Sequence, residues 1–256
     1  MTVTHSVEAG VGTVFLDRPE RLNAITTDMA RQLAGAVVEL ASNPGVAVIV
    51  IRGSGENFCA GGDFDEVERL RAEGAAALSG LFGSFRAACD AIAAADVPVV
   101  AVVQGVAAAG GFELMQASDI VLVSDDARIA DSHVKFGMIP GGGSTVRLAR
   151  LVGTQRALGL LLSGDEMSGR EAAAAGLAYR SYPAEDFEDG VKRFVAKLAG
   201  RKREAVVTIK RLVRASAGRP LHEALDAEQT AVVQHIIAAG SGTDRFADRR
   251  VPEVRT

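Results

Sequence analysis

The chain has no tryptophan, two tyrosines, two cysteines and four histidines in 256 residues. So few flat aromatic rings give no sign of a substrate held by stacking. Cys59 and Cys89 form no C-x-x-C pair, and His5, His133, His222 and His235 form no H-x-x-x-H pattern. The spacings of a structural metal site are therefore missing, and no metal or separate cofactor is expected. Two cysteines also suit a reducing compartment. No apolar run reaches the roughly 18 residues that would suggest a membrane-spanning helix. The first residues, MTVTHSVEAGVGTV, lack the basic segment followed by an apolar segment that marks a signal peptide. These absences point to the cytoplasm. A net charge of −4 supplies no electrostatic reason to expect nucleic acid or an anionic membrane as a partner. Neither G-x-G-x-x-G nor G-x-x-x-x-G-K-[ST] is present, which removes the common nucleotide fingerprints.

What remains is a soluble globular composition, 48% hydrophobic and 23% charged. The length allows one large domain with an appendage, or two domains. VGTVFLDRP (11–19) reads as a strand ending at a proline turn. Thr26 or Thr27 caps a helix over about 28–41, with Met29, Leu33, Val37 and Leu40 on one face. VAVIVIRG (46–53), VPVVAVVQG (97–105) and DIVLVSD (119–125) are continuous apolar runs, as strands buried on both faces require. Helix is expected over 65–95, and beyond 144 the chain is mostly helical apart from a short strand over 178–183. A helix starting near Gly110 would make a short crossover between two of the buried strands.

Three glycine-rich stretches hold the candidates for chemistry: FCAGGD (58–63), AGGFE (109–113) and GMIPGGGSTVRL (137–148). Glycine leaves N–H groups uncovered, and a helix start at Gly110 adds unpaired donors and a positive dipole end. Two such donors converging on one point would stabilise an oxyanion. From spacing alone, the same glycines read first as tight turns and close backbone contacts. Glu113 is either a working acid or base one turn into that helix, or a buried carboxylate bonded to backbone N–H groups. His133, with Asp131 two residues upstream, is either a catalyst or a hydrogen-bonded structural histidine. Cys59 reads as a small buried residue.

Taken in order, RPERLNAI (18–25), FCAGGD (58–63), VQGVAAAGGFELMQASDI (103–120), FGMIPGGGSTVRL (136–148) and SGDEMSGREAAAAGL (163–177) resemble the enoyl-CoA hydratase/isomerase, or crotonase, family. The resemblance runs from about residue 5 to the C-terminus. It implies an α/β fold: a spiral of repeated β-β-α units over 1–190 holding a CoA-thioester site, then a C-terminal helical trimerisation region over 191–256. It implies a homotrimer or a dimer of trimers, and an acyl-CoA thioester as ligand, coenzyme A entering as part of the substrate. Gly62 and Gly110 would supply the oxyanion-hole N–H groups. Leu22, Ala24, Ala60 and Asp63 would line the CoA site, and Phe246 and Arg249 would reach CoA bound by a neighbouring subunit. Glu113 falls where hydratases of the family carry the first of two glutamates. The second glutamate is replaced here by His133, which Asp131 would orient. The resemblance therefore implies hydration of a trans-2-enoyl-CoA by a Glu113/His133 pair. Isomerisation or C–C bond hydrolysis through the same enolate, and acyl-CoA binding without turnover, are the alternatives.

Overall fold

A computed structural model describes residues 1–238. They fall into two compact units, Met1–Arg201 and one beginning at Lys202. Phe246 and Arg249 lie outside the described residues.

The first unit is built on a six-stranded sheet in the order β1-β2-β3-β4-β6-β9. Its strands are β1 (Val3–Glu8), β2 (Val11–Leu16), β3 (Val48–Gly53), β4 (Val99–Val103), β6 (Ile120–Ser124) and β9 (Arg180–Tyr182). Only the β1–β2 pair is antiparallel. The apolar runs predicted as strands become β3, β4 and β6, each shorter than its run because the flanking residues turn away. β4 is buried at every position, VVAVV, and β-branched side chains suit such a doubly covered strand. β1 was not foreseen. It is a mostly exposed, polar edge strand, so it carries no hydrophobic alternation, and the left-handed pair Ala9–Gly10 turns it into β2.

A second layer is a three-stranded sheet, β5-β7-β8, made of β5 (Val106–Ala108), β7 (Arg128–Ala130) and β8 (Met167–Ser168). Two isolated bridges, Ile25 with Gly62 and Cys59 with Ala107, continue it toward the N-terminus. The chain thus repeats one path. A long strand enters the first sheet, a short extended piece follows in the second layer, and a helix returns. β2, Ile25 and α1 (Thr27–Ser42) make one such turn. β3, residues 59–62, α2 (Phe64–Glu73) and α3 (Ala75–Ala94) make the next. β4, β5 and α4 (Gly110–Ala117) make the third. This is the spiral of β-β-α units the resemblance implied.

α1 begins where Thr26 accepts a hydrogen bond from the Met29 N–H at 3.1 Å. It buries Met29, Ala30, Leu33, Ala36, Val37 and Leu40 at helical spacing. The single helix expected over 65–95 is two, divided at Gly74, whose φ of 103° no helix accommodates. The later helices are α5 (Ser144–Val152), α6 (Thr154–Ser163), α7 (Gly169–Ala174) and α8 (Phe187–Ala199). α8 lays Phe187, Val191 and Val195 against Val48, Val50, Val100, Val102 and Leu122 of the sheet. A domain division at 190/191 would cut through this helix. Its apolar face belongs to the first core, and the division falls after Arg201. The described part of the second unit is α9 (Arg203–Ser216) and α10 (Leu221–Ala238). No helix among the described residues is long and apolar enough to cross a membrane.

Asn23 fixes the loop that leads into the site. It is fully buried and left-handed, with φ 57°. Its amide donates to the Ser54 and Asn57 carbonyls at 2.9 and 2.8 Å, and its Oδ1 accepts from the Arg18 N–H at 2.9 Å. Asn23→Ala strands all three partners and is expected to lower stability by about 2–3 kcal/mol. A urea midpoint unchanged from wild type would contradict this.

Candidate functional site

The site lies where two loops cross. Residues 59–62 leave β3's turn of the spiral, and residues 108–111 leave β5. Ile25 donates to the Gly61 carbonyl at 2.7 Å and accepts from the Asp63 N–H at 2.9 Å. That pairing uses the groups on either side of Gly62 and turns the Gly62 N–H away from Ile25. Gly110 is the first residue of α4, so its N–H has no acceptor within the helix. Among the described residues, neither N–H donates to a protein group. Ala109, just before the helix, is held at φ 45° and ψ −113°, an unusual conformation for a residue with a side chain. Its N–H is tied to the Ala130 carbonyl at 3.1 Å and its carbonyl to the Glu113 N–H at 3.0 Å.

The crossing requires glycine. A Cβ on Gly111 would run into the Cys59 carbonyl, and one on Gly61 would stand 2.8 Å from the Ala109 Cβ. Cys59 is fully buried, and burial pushes its thiol up to about 12 despite a hydrogen bond with Gly61. It is an inert packing residue, as its sequence setting implied.

Gly62 and Gly110 line a cavity of about 460 Å³ together with Glu113, His133, Ala24, Ala60 and Asp63. Leu22 does not line it. Its left-handed backbone stands at the surface, and its carbonyl holds the Ala60 N–H at 3.0 Å. Asp63 caps α2 through the Glu66 N–H at 3.1 Å and pairs with Arg18 at 2.9 Å. Burial works against its charge, but these two partners outweigh burial and hold its carboxyl below the usual range. That engagement makes Asp63 a fixed part of the wall.

Glu113 is 1% exposed. Its Oε1 accepts the Gly142 N–H at 2.7 Å and the Ser144 N–H at 3.1 Å, both at the start of α5. The buried carboxylate bonded to backbone N–H groups is thus realised in one oxygen. Oε2 has no protein donor among the described residues, and the side chain reaches the cavity. Burial is the main influence on Glu113 and raises its pKa; the two N–H groups and the His133 charge oppose it without cancelling it.

His133 donates from Nδ1 to Asp131 Oδ1 at 2.6 Å, and its backbone N–H reaches the same oxygen at 3.3 Å. Asp131 is 1% exposed, and its Oδ2 is buried without a hydrogen bond. Burial depresses the imidazole pKa, but the Asp131 bond and the Asp131 and Glu113 charges outweigh it, so the net shift is upward. A proton on Nδ1 leaves Nε2 as the ring nitrogen with no protein partner among the described residues.

Gly142, Ser144 and Arg147 escaped the sequence reading as parts of the site. Their stretch was visible as a glycine loop before a helix, but nothing local ties it to Glu113, 29 and 31 residues earlier. Arg147 braces the loop from behind by donating to the Gly142 carbonyl. Phe82 and Phe85, also in the wall, sit on an Ala-rich helix where only their spacing on one face marks them.

The enoyl-CoA hydratase/isomerase family model matches residues 6–255. Over 245 residues, 95% of this chain and 93% of the relative, the sequence is 31% identical to a probable enoyl-CoA hydratase of Mycobacterium leprae. Over 176 residues it is 35% identical to a probable enoyl-CoA hydratase of Mycobacterium bovis, covering 69% of this chain and 66% of that one. An enoyl-CoA hydratase of Polaromonas sp. JS666 superposes with a TM-score of 0.91 over 99% of both chains, at 28% identity. An enoyl-CoA hydratase structure from Thermobifida fusca, in complex with acetoacetyl-CoA, gives 0.84 over 93% of this chain and 95% of that one, also at 28% identity.

Both raised pKa values have a consequence that needs no substrate. A group whose pKa is raised on folding binds its proton more tightly in the folded chain, so its share of stability fades as pH rises through the folded value. For Glu113 that fade begins above the ordinary 4.5, and for His133 above 6.5. Glu113→Gln keeps an acceptor for the two N–H groups and cannot ionise. Urea midpoints measured from about pH 5 to about pH 8 should fall less in the variant than in the wild type. An equal or steeper fall in the variant would show that Glu113 is not raised.

Proposed function

The chain belongs to the enoyl-CoA hydratase/isomerase family, and on that premise we propose that it adds water reversibly to a trans-2-enoyl-CoA. The observation that carries the reading is the second acid. Where the family resemblance implies a glutamate, this chain has a histidine anchored on a buried aspartate, in the same cavity as Glu113 and two unengaged backbone N–H groups.

In this reading the thioester oxygen takes the Gly62 and Gly110 N–H groups. Their fixed orientation favours the enolate over the neutral ester. Glu113 acts as the base in this reading; burial raises its pKa, against the two N–H groups and the His133 charge, which makes its carboxylate a better proton acceptor. Oε2 takes a proton from water as the water oxygen bonds to the β-carbon, and the double-bond electrons move onto the thioester oxygen. His133 is the acid in this reading: burial lowers its pKa, but Asp131 and Glu113 raise it on balance, which favours the imidazolium. Its Nε2–H protonates the α-carbon and the thioester carbonyl re-forms. Asp131 keeps Nδ1–H pointed away from the substrate and stabilises the cation, a positioning role. The atoms balance as one water added across one C=C bond, and return of the proton from Glu113 to His133 through solvent restores both groups for the next turnover. A glutamate in the second position would have to be raised much further to hold its proton at neutral pH; imidazolium needs little help.

The experiment is loss of enoyl-thioester absorbance with crotonyl-CoA and a longer trans-2-enoyl-CoA, with thiol release followed in parallel. Glu113→Gln and His133→Ala are each expected to cost roughly 100- to 10,000-fold in kcat. The pH profile should be a bell, with an acid limb from Glu113 above 4.5 and an alkaline limb from His133 above 6.5. Asp131→Asn should move the alkaline limb toward lower pH, and the acid limb in the same direction by less, because the Asp131 charge raises both His133 and Glu113. Absorbance loss that survives His133→Ala would remove His133 from the mechanism. Binding without absorbance loss would remove hydration and leave another CoA-ester reaction or a binding role. Light scattering on the same preparation tests the homo-oligomer that belongs to this reading, and a single-chain mass would exclude it.

A further inference from the structure

The loop that holds Glu113 has no side chains of its own with which to hold still. Residues 141–143 are glycines, and their neighbours exclude anything larger at the first two. A Cβ on Gly141 would stand 2.6 Å from Phe82 Cδ1, and one on Gly142 would run into the Phe85 ring and stand 2.8 Å from Glu113 Oε2. Gly143 is left-handed, with φ 119°. A run of glycines loses more backbone freedom on ordering than any other residues. Yet this one must be fixed closely, because the Gly142 and Ser144 N–H groups converge on a single oxygen of Glu113.

α5 orders only part of the loop. The Val146 and Arg147 N–H groups both bond to the Gly143 carbonyl, at 3.0 and 2.8 Å. The Gly142 carbonyl lies between the two N–H donors in the chain. Among the described residues no backbone N–H reaches it, and its donor is the Arg147 guanidinium. The side chain arrives by folding back over Gly143, where a Cβ would collide with Nη1. Its other nitrogen, Nη2, stands 3.7 Å from Asp90 Oδ1 on α3, and Asp90 Oδ2 takes Arg86 Nε at 3.2 Å. The planar fork therefore ties the loop to α3, which a single ammonium does less well.

We propose that Arg147 is a positioning residue for Glu113: by holding the Gly142 carbonyl it keeps both N–H groups aimed at Oε1 and so fixes where Oε2 stands. The effect on turnover rests on the hydration reading above; the effect on Glu113 itself does not. Its sign follows from the contacts. Burial raises the Glu113 pKa and the two N–H groups oppose it, so releasing them lets it rise further. The other groups that act on Glu113 stay in place: His133, Asp131 and, on α3, the Cys89 thiol, which burial pushes up to about 12 and keeps neutral. Lys135, Asp63 and the Arg21–Asp65 pair line the same cavity and are also unchanged. Loss of the Arg147 charge alone would act in the same direction, so a variant that keeps the charge is needed.

The test compares Arg147→Met and Arg147→Lys with the wild type. Urea midpoints from about pH 5 to about pH 8 are read without substrate. The midpoint of Arg147→Met should fall more steeply with rising pH than that of the wild type, and adding Glu113→Gln should remove the extra fall. With crotonyl-CoA, kcat should drop by about 10- to 100-fold at unchanged KM. The acid limb of the profile should move up by about one pH unit. Arg147→Lys should show the same changes at reduced size. An unmoved pH dependence in folded Arg147→Met would leave Arg147 a structural residue only, and full restoration by lysine would assign the effect to charge; either result overturns the proposal. If Arg147→Met does not fold, the lysine variant decides alone, by a shifted or an unmoved pH dependence. A steeper midpoint fall in a chain that hydrates no enoyl-CoA would leave the positioning role standing and remove the hydratase reading.

Discussion

Glu113 receives two N–H groups from the start of α5, and much of the site depends on that contact. A carboxylate buried to 1% exposure is expensive unless it is paired or hydrogen-bonded. Gly142 and Ser144 supply the donors, and the N-terminal end of α5 adds a favourable partial charge. The arrangement also joins parts of the chain that are far apart in sequence. α4 is wholly buried, and Gln116 one turn further on donates to the Ser144 hydroxyl at 2.8 Å. The loop before α5 is thus pinned to α4 from two side chains and braced from behind by Arg147. One oxygen of Glu113 is committed to structure, and the other accepts no protein hydrogen bond among the described residues.

The same economy of side chains shapes the loop crossing. The spiral brings residues 59–62 and 108–111 together because each turn sends its second extended piece into the same layer, as the Cys59–Ala107 and Ile25–Gly62 bridges show. Once the backbones are that close, Gly61 and Gly111 cannot carry a Cβ. Ala109 takes an unfavourable conformation at the point where α4 begins. Such strain persists only where neighbours over-determine it, and here both its N–H and its carbonyl are bonded. The result is two N–H groups that have no protein acceptor among the described residues. A donor that needs no reorganisation is what an oxyanion site requires.

Much of this could be read in the sequence, for identifiable reasons. The buried strands are apolar because both faces are covered, so β3, β4 and β6 are visible as continuous runs. Thr26 marks the start of α1 because a cap is a local event. β1 is invisible because an exposed edge strand has no hydrophobic pattern, and the break at Gly74 is hidden because helical composition continues on both sides. At the site, Glu113, His133 and the glycines stand out as residue types in motifs. Their partners do not. The link from Glu113 to Gly142 and Ser144 is purely tertiary. The division of the chain after Arg201 follows from where α8 lays its apolar face, which an amphipathic pattern alone does not say. His133 is the instructive case. Sequence shows a missing glutamate; the structure shows a histidine whose Nδ1 is already engaged by a buried carboxylate.

The central claim is that the crossing presents Gly62 and Gly110 to a single thioester oxygen with Glu113 alongside. A crystal structure of this chain with acetoacetyl-CoA tests it most directly. The account predicts that the thioester oxygen lies within hydrogen-bonding distance of both N–H groups, with the β-carbon facing Glu113 Oε2 and the α-carbon facing His133 Nε2. A thioester bound in the cavity with its oxygen away from either glycine would contradict it.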